Sequence, residues 1–279
     1  MCSRERVKSK SHIKIIIDII GKVMNTFSRY VGIDYSGARA PVSRLPGIQV
    51  YECVSDSQPS RVLPYDFKAR NWSRKEVAKY MREVLLSGEQ VIIGLDHGFS
   101  FPESYFLDNT LPDWDTFLKY FSSEWPTNKD HMYVDFIRKD GRETGDPRDL
   151  RLCEKWTTGA KSVFQFDVQG SVAKSTFAGL SWLADLRNDK GIKSITHFWP
   201  FDGFSVPSGK SIVGEVYPSL FRRRYPRGER TSDEQDAYAV SRWLQEMDRR
   251  GALQDCLNPP LTLPERRQVM LEGWIMGVR

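Results

Sequence analysis

Two aspartates follow short apolar segments that are typical of buried strands. Asp34 comes after residues 30–33 and Asp96 comes after residues 91–95. In an open α/β sheet, ligands bind at the carboxyl ends of the strands, so both side chains are predicted at the ligand-binding edge. A single aspartate in such a position is commonly a turn residue or a helix cap. Two aspartates at matching strand ends favour a shared functional site.

The start of a predicted helix carries two more carboxylates. Residues 232–235 (Ser-Asp-Glu-Gln) have the form of a capping box and predict a helix over about residues 233–249. Asp233 lies in the first turn, where the helix dipole favours an acidic side chain. Asp236 has the spacing of the apolar stripe that continues through Val240, and it is predicted to face the core. Asp236 is therefore a candidate metal ligand, and Asp233 could assist from the adjacent edge.

Glu215 lies inside the predicted strand of residues 211–217, on the same face as apolar neighbours. A buried carboxylate requires a metal ion, an arginine or a network of hydrogen bonds. The residues leave two interpretations open, an auxiliary metal ligand or a salt bridge to a nearby arginine.

These carboxylates suit a hard divalent cation, because Mg²⁺ and Mn²⁺ prefer carboxylate oxygens together with water and phosphate oxygens. Two such ions about 4 Å apart could activate a water and stabilise the leaving oxygen of an in-line displacement. The hypothesis is metal-assisted hydrolysis of a phosphodiester, with Mg²⁺ or Mn²⁺ as the cofactor.

The elements that would position the carboxylates alternate along the chain. Residues 29–35, 47–54 and 60–65 predict three strands, and a helix over residues 73–86 precedes a central strand at 91–95. Residues 99–199 are expected to form a helical insertion, with helices around 114–121 and 172–186. A strand at 211–217, a basic helical turn at 219–225, the helix at 233–249 and a last helix at 264–276 follow. The pattern predicts an α/β fold.

Four short motifs in order resemble a known family. They are Gly-Ile-Asp-Tyr-Ser-Gly at residues 32–37, Gly-Leu-Asp-His-Gly-Phe-Ser-Phe-Pro at 94–102, Glu-Val-Tyr-Pro at 215–218 and Asp-x-x-Asp-Ala-Tyr at 233–238. Together they resemble the family labelled domain of unknown function 429, whose members are regarded as ribonuclease H-like nucleases. The resemblance covers most of residues 28–279.

The resemblance implies a ribonuclease H-like mixed sheet flanked by helices, and a nuclease that acts on nucleic acid. It implies Asp34 as the ligand on the first strand, Asp96 as the mid-sheet ligand and Asp236 as the helix ligand. Glu215 would be the auxiliary carboxylate.

Basic groups near these positions are candidates for binding substrate phosphates. Arg222, Arg223 and Arg224 fall between Glu215 and Asp236, although a solvated helix face is the plainer interpretation. Lys174 stands near a helix start, where it could bind an anion or simply be solvated. The Gly-Ser-Val-Ala-Lys-Ser segment at 170–175 lacks the glycine that a nucleotide-binding loop needs before its lysine. His97 could move a proton near the metal or be a hydrogen-bonded structural histidine.

Composition sets the class but not the partner. With 279 residues, 40% hydrophobic and 28% charged, the chain matches ordinary globular proteins and excludes disordered and fibrous classes. The net charge is +5, but residues 1–23 carry six basic and two acidic side chains, so the remainder is nearly neutral. A nucleic-acid partner therefore depends on a local basic patch.

The first 23 residues are expected to be a non-native or disordered basic extension, with Met24 as the natural start. A real amphipathic helix is the alternative. Residues 24–279 then form a single domain. The apolar run at 13–20 is too short to span a bilayer, so no membrane association is expected. The four cysteines have no paired spacing, which favours a reducing, cytoplasmic location.

Two other function classes remain open at this point. Actin-like ATPases and sugar kinases also hold ATP with Asp-x-Gly turns, which Asp96-His-Gly98 fits, but the chain looks short for their two lobes. A non-catalytic binding module on the same fold is the other alternative. The sequence does not distinguish DNA from RNA or from a small substrate, nor does it indicate the oligomeric state.

Overall fold

The computed structural model describes residues 26–279. Its centre is one mixed sheet of six strands in the order β3-β2-β1-β4-β6-β5. The first three strands pair antiparallel, and β1, β4, β6 and β5 are parallel neighbours. The strands are β1 (Arg29–Asp34), β2 (Gln49–Val54), β3 (Ser60–Arg61), β4 (Val91–Asp96), β5 (Thr196–Phe198) and β6 (Ser211–Glu215).

Helices cover both faces of this sheet. They are α1 (Arg74–Leu85), α2 (Glu103–Asp108), α3 (Trp114–Glu124), α4 (Val134–Lys139), α5 (Leu152–Trp156), α6 (Ala173–Asn188), α7 (Lys190–Ile195), α8 (Ser232–Arg249), α9 (Leu253–Leu257) and α10 (Leu263–Glu272). Two 3-10 turns, Pro218–Leu220 and Arg222–Arg224, follow β6.

The alternation of side chains along the strands divides the core in two. Ile33, Leu95 and Val213 pack with residues of α1, α3 and α6 on one face. Tyr30 and Ile92 pack with residues of α8, α9 and α10 on the other face. The predicted α/β class, a mixed sheet flanked by helices, is confirmed.

Two glycines, Gly32 and Gly94, let α8 approach the sheet closely. Gly32, Gly94 and Gly214 are direct register partners on β1, β4 and β6. A Cβ added at Gly32 would lie 2.2 Å from the carbonyl oxygen of Ala237, and one added at Gly94 would lie 2.7 Å from Val240. The backbone of α8 therefore rests directly on β1, which places the start of α8 beside the carboxyl ends of the strands.

Gly32→Ala is expected to destabilise the fold by about 3 kcal/mol, because the added methyl group meets helix backbone that cannot move aside without tilting α8. Urea unfolding measures the change. Gly47→Ala is the matched control, since its added methyl group would meet only ordinary contacts of 3.4 Å or more. Equal stability of the two variants would contradict the close packing of α8 on β1.

Several predicted boundaries differ from the structure for local reasons. β3 ends at Arg61 rather than at residue 65, because Pro64 cannot donate to the ladder. The last helix ends at Glu272 rather than at 276, because Gly273 adopts φ 78°. The capping box at the start of α8 is formed by Thr231 and Glu234, one residue earlier than predicted. The strand predicted at 211–217 ends at Glu215.

The segment 99–199 holds helices α2 to α7, with α3 and α6 close to the predicted positions, and it returns to the sheet as β5. Its status as an insertion in a smaller domain stays a prediction. The basic leader of residues 1–23 and the start at Met24 lie outside the described residues. No helix within residues 26–279 has both the length and the apolar character that crossing a bilayer requires.

Candidate metal centre

Asp34 and Asp96 are neighbours at the carboxyl edge of the sheet. They are the last residues of β1 and β4, and they are direct partners in the parallel register. Adjacent strands lie about 4.8 Å apart, so the two side chains leave the sheet side by side. By alternation they share a face with Gly32 and Gly94, which is the face that α8 covers. Both side chains are partly buried.

The start of α8 brings two more carboxylates to this edge. Asp236 precedes Ala237, whose carbonyl rests on Gly32. Asp233 lies near the loop after β1, because its Oδ2 atom would be 3.7 Å from a Cβ added at Gly47, and Ser36 is a second neighbour of that Cβ position. Four carboxylates, from β1, β4 and the first turns of α8, therefore converge on one rim.

Burial raises the pKa values of these carboxyl groups, and neighbouring negative charges raise them further. Burial is the largest cause of the raised pKa of Asp34, followed by the negative charges of Asp96, Asp233 and Asp236. Burial also leads for Asp96, whose pKa is raised further by Asp236 and Glu215 and lowered by Arg222. Within residues 26–279, neither Asp34 nor Asp96 forms a salt bridge. Acidic groups are therefore concentrated at this rim, and Asp34 and Asp96 have no salt-bridge partner among the described residues.

Asp236 is paired in this structure. Arg222 Nη1 donates to Oδ1 and Oδ2 of Asp236 at 3.1 and 2.9 Å. In the described part of the chain, no group of three or more His, Cys, Asp or Glu side chains is arranged to hold a metal ion. The carboxylate oxygens of Asp34 and Asp96 fit a hard cation in chemistry. For Asp236 to join Asp34 and Asp96 as a third ligand, its carboxylate would have to release Arg222 and bind the ion.

Glu215 occupies a different position from the other acids. It alternates with Gly214 and so points to the face opposite α8. Arg151 Nη1 and Nη2 each donate to one of its oxygens at 2.7 Å, and the Phe99 backbone N–H donates at 3.0 Å. This geometry matches the salt-bridge alternative, and the role of Glu215 as an auxiliary catalytic carboxylate stays a prediction.

His97 is a buried histidine. Its ring lies in the core between Tyr35 and Phe99, and Nδ1 is 2.9 Å from the Gly98 carbonyl oxygen. Burial lowers the pKa of His97 to about 4, so the ring is neutral near pH 7. This burial favours the structural interpretation of His97, and the substrate-binding one stays a prediction. Gly98 is equally enclosed, since an added Cβ would lie 2.9 Å from Thr176.

The predicted basic residues differ in their surroundings. Arg224 pairs with Glu246 at 3.0 Å, and Lys174 pairs with Asp135 at 2.8 Å. Lys174 does lie near the edge, because its carbonyl oxygen would be 1.9 Å from a Cβ added at Gly37. Its side-chain charge is nevertheless engaged with Asp135. Arg223 is exposed and forms no ion pair with a described residue.

Buried arginines at this edge were missed by sequence reasoning. Arg74 donates to the carbonyl oxygens of Ser36, Ala38 and Arg39, and so shapes the loop that follows Asp34. Its partners are backbone atoms far along the chain, which leave no sequence signal. Arg151, which pairs with Glu215, is the second such arginine.

A small cavity is lined both by the Arg151–Glu215 pair and by Asp96. Its water-accessible volume is about 40 Å³, and Lys161 is among its other lining residues. This space is enough for a few waters beside Asp96.

Comparisons of the chain with protein-family models, with curated proteins and with solved structures found no match.

Proposed function

We propose that the protein binds Mg²⁺ or Mn²⁺ at Asp34, Asp96 and Asp236, with Asp233 assisting, and hydrolyses phosphodiester bonds of nucleic acid. The observation that carries the proposal is the pair of in-register aspartates at the ends of β1 and β4, which have no basic partner among the described residues. Two adjacent, partly buried carboxylates are costly without a counter-charge, and a divalent cation would supply it.

The positions of the candidate ligands in the fold support the proposal. Three antiparallel strands open the chain and parallel strands follow, with the candidate ligands on the two central strands β1 and β4. The helix ligand Asp236 comes from α8, the helix that packs on β1. This placement brings candidate ligands from the sheet and from α8 to one rim, and the site rather than the fold carries the proposed reaction.

The chain's own residues would contribute positioning and charge. A bound ion would lower the pKa of a coordinated water and stabilise the leaving oxygen. Asp34 and Asp96 would hold the ion from the sheet, and Asp236 would approach from α8. In the overall reaction, the water oxygen attacks phosphorus and the bond from phosphorus to the leaving oxygen breaks. One proton leaves the water and another reaches the leaving oxygen. Arg222, released from Asp236, would face the phosphate.

The competing nucleotide-phosphotransferase interpretation receives no support from the geometry. The Asp-x-Gly turn would have to expose its backbone to phosphate, whereas Gly98 N–H donates to Thr176 Oγ1 at 2.9 Å and is buried. The segment at 170–175 leads into α6, whose Lys174 is paired with Asp135.

A panel of labelled single-stranded, duplex, branched and hybrid substrates tests the proposed function with Mg²⁺ or Mn²⁺. Cleavage by the wild type and its loss in Asp96→Asn are expected. Asp255→Asn is the matched control, because Asp255 has a side chain that is 75% exposed and lies on α9, which follows the end of α8 opposite to Asp236. Equal cleavage by the wild type and Asp96→Asn would indicate a contaminating nuclease and contradict the proposal.

Arg222→Gln is expected to strengthen Mn²⁺ binding by up to about fivefold, because a partly exposed salt bridge worth ~1 kcal/mol no longer competes for Asp236. Calorimetric titration measures the affinity. Arg224→Gln, which removes one of the two arginine partners of Glu246 instead, should leave the affinity unchanged. Weaker Mn²⁺ binding in Arg222→Gln would mean that Asp236 does not exchange its arginine for the ion.

A further inference from the structure

A second cavity lies beside Asp236. Its water-accessible volume is about 260 Å³. Basic and polar side chains dominate its lining, which consists of Arg222, Arg223, Tyr225, Arg227, Ser232, Gln235 and Asp236. We call this cavity the arginine pocket.

The arginine pocket is held together by Gln235, a buried residue of α8. Gln235 Nε2 donates to the carbonyl oxygens of Arg222 and Tyr225, and its Oε1 atom accepts from Arg230 Nε at 2.8 Å. Arg227 Nε in turn donates to the Arg230 carbonyl oxygen at 2.5 Å. The arginine-rich segment is therefore wrapped around a fixed side chain of the helix, while Arg223, Arg224 and Arg227 are themselves exposed.

The charges of this segment are only partly balanced. Arg222 pairs with Asp236 and Arg224 pairs with Glu246. Arg223, Arg227 and Arg230 form no ion pair with any residue in the described range 26–279. Two of these three line the cavity. The pocket thus presents unpaired positive charge at the border of the proposed metal centre.

We propose that the arginine pocket binds a phosphate group of the substrate strand that neighbours the scissile phosphate. Arginine is suited to this task, because its planar guanidinium donates two parallel hydrogen bonds to phosphate oxygens. The inference rests on the proposed function, and it narrows the substrate class to a strand with successive phosphates. A small phosphodiester with a single phosphate would leave the pocket empty.

Fluorescence anisotropy tests the pocket with the full chain in EDTA, which prevents cleavage. The probe is a labelled single-stranded 12-mer of deoxythymidine. Arg223→Gln/Arg227→Gln is expected to weaken binding about tenfold or more, and to reduce the slope of log affinity against log salt by roughly 0.7, the value for one phosphate contact on a single strand. The matched control is Arg249→Gln/Arg267→Gln, which removes two exposed arginines from the end of α8 and from α10.

A strand with neutral methylphosphonate linkages should bind the wild type and Arg223→Gln/Arg227→Gln equally, because it offers no charged phosphate. Equal binding of the ordinary strand by the wild type and this variant would contradict phosphate binding by the arginine pocket. An equal loss of strand binding in Arg249→Gln/Arg267→Gln would contradict it as well. Mn²⁺ titrations without the strand test the metal centre separately.

A wild type that takes up no Mn²⁺ but binds the strand through these arginines would support the pocket and contradict the metal centre. Mn²⁺ uptake together with arginine-independent strand binding would support the metal centre and overturn the pocket.

Discussion

Asp34→Asn is expected to abolish metal-dependent hydrolysis, with a loss of about 10³-fold or more, and at the same time to stabilise the metal-free protein near neutral pH. The loss follows from removing a charged ligand of the proposed ion. The gain in stability follows from removing a carboxylate that is partly buried beside Asp96, Asp233 and Asp236. Asparagine keeps the shape of the side chain but carries no charge.

The dependence of stability on pH follows from the raised pKa values of Asp34 and Asp96. At pH values between the ordinary pKa of 3.8 and the raised pKa values, Asp34 and Asp96 stay protonated in the folded state and are ionised in the unfolded state. The stabilisation that these groups contribute is complete below pH 3.8 and is lost as the pH rises through their pKa values in the folded state. In EDTA, the wild type should therefore lose stability over this interval, and Asp34→Asn should lose less.

Urea unfolding in EDTA and in Mn²⁺, at several pH values, measures both parts of this result. Mn²⁺ should stabilise the wild type and should not stabilise Asp34→Asn, because a ligand stabilises only the state that binds it. Asp255→Asn should behave as the wild type does. If Asp34→Asn is less stable than the wild type in EDTA at neutral pH, Asp34 stabilises the metal-free fold, which contradicts its proposed role as a metal ligand.

The second large effect is expected in the buried network around Arg151. Arg151 donates to both oxygens of Glu215 and, through Nε, to Glu154 at 2.9 Å, and all three side chains are almost fully buried. Arg151→Met is expected to destabilise the fold by about 3–5 kcal/mol, because it leaves two buried carboxylates without their cation. Urea unfolding gives the value.

A nearby arginine offers a matched control for this substitution. Arg148 also pairs with an acid, Asp146, but its side chain is 88% exposed, and Arg148→Met should leave stability unchanged. Arg151→Met/Glu215→Gln should recover part of the loss, because one of the two stranded charges is removed. An equally small effect of both single substitutions would contradict the burial of the Arg151 network.

Local patterns in the sequence determined most of the secondary structure and two candidate ligands. The apolar runs that end at Asp34 and Asp96 became the adjacent strands β1 and β4, and the helix predicted over 233–249 became α8. These predictions hold because strand alternation, helix periodicity and capping depend on residues a few positions apart. Even so, local signals misplaced the ends of β3 and of α10 by four residues each.

The tertiary structure alone decided which charges meet. The side-chain alternation left Glu215 open to a metal or an arginine, and only the packing of distant segments placed Arg151, 64 positions away, on both of its oxygens. In the same way, packing enclosed His97 in the core and set Arg222 against Asp236. The physical reason is that the strength of a charge pair depends on distance and burial, which exist only after distant segments have packed together.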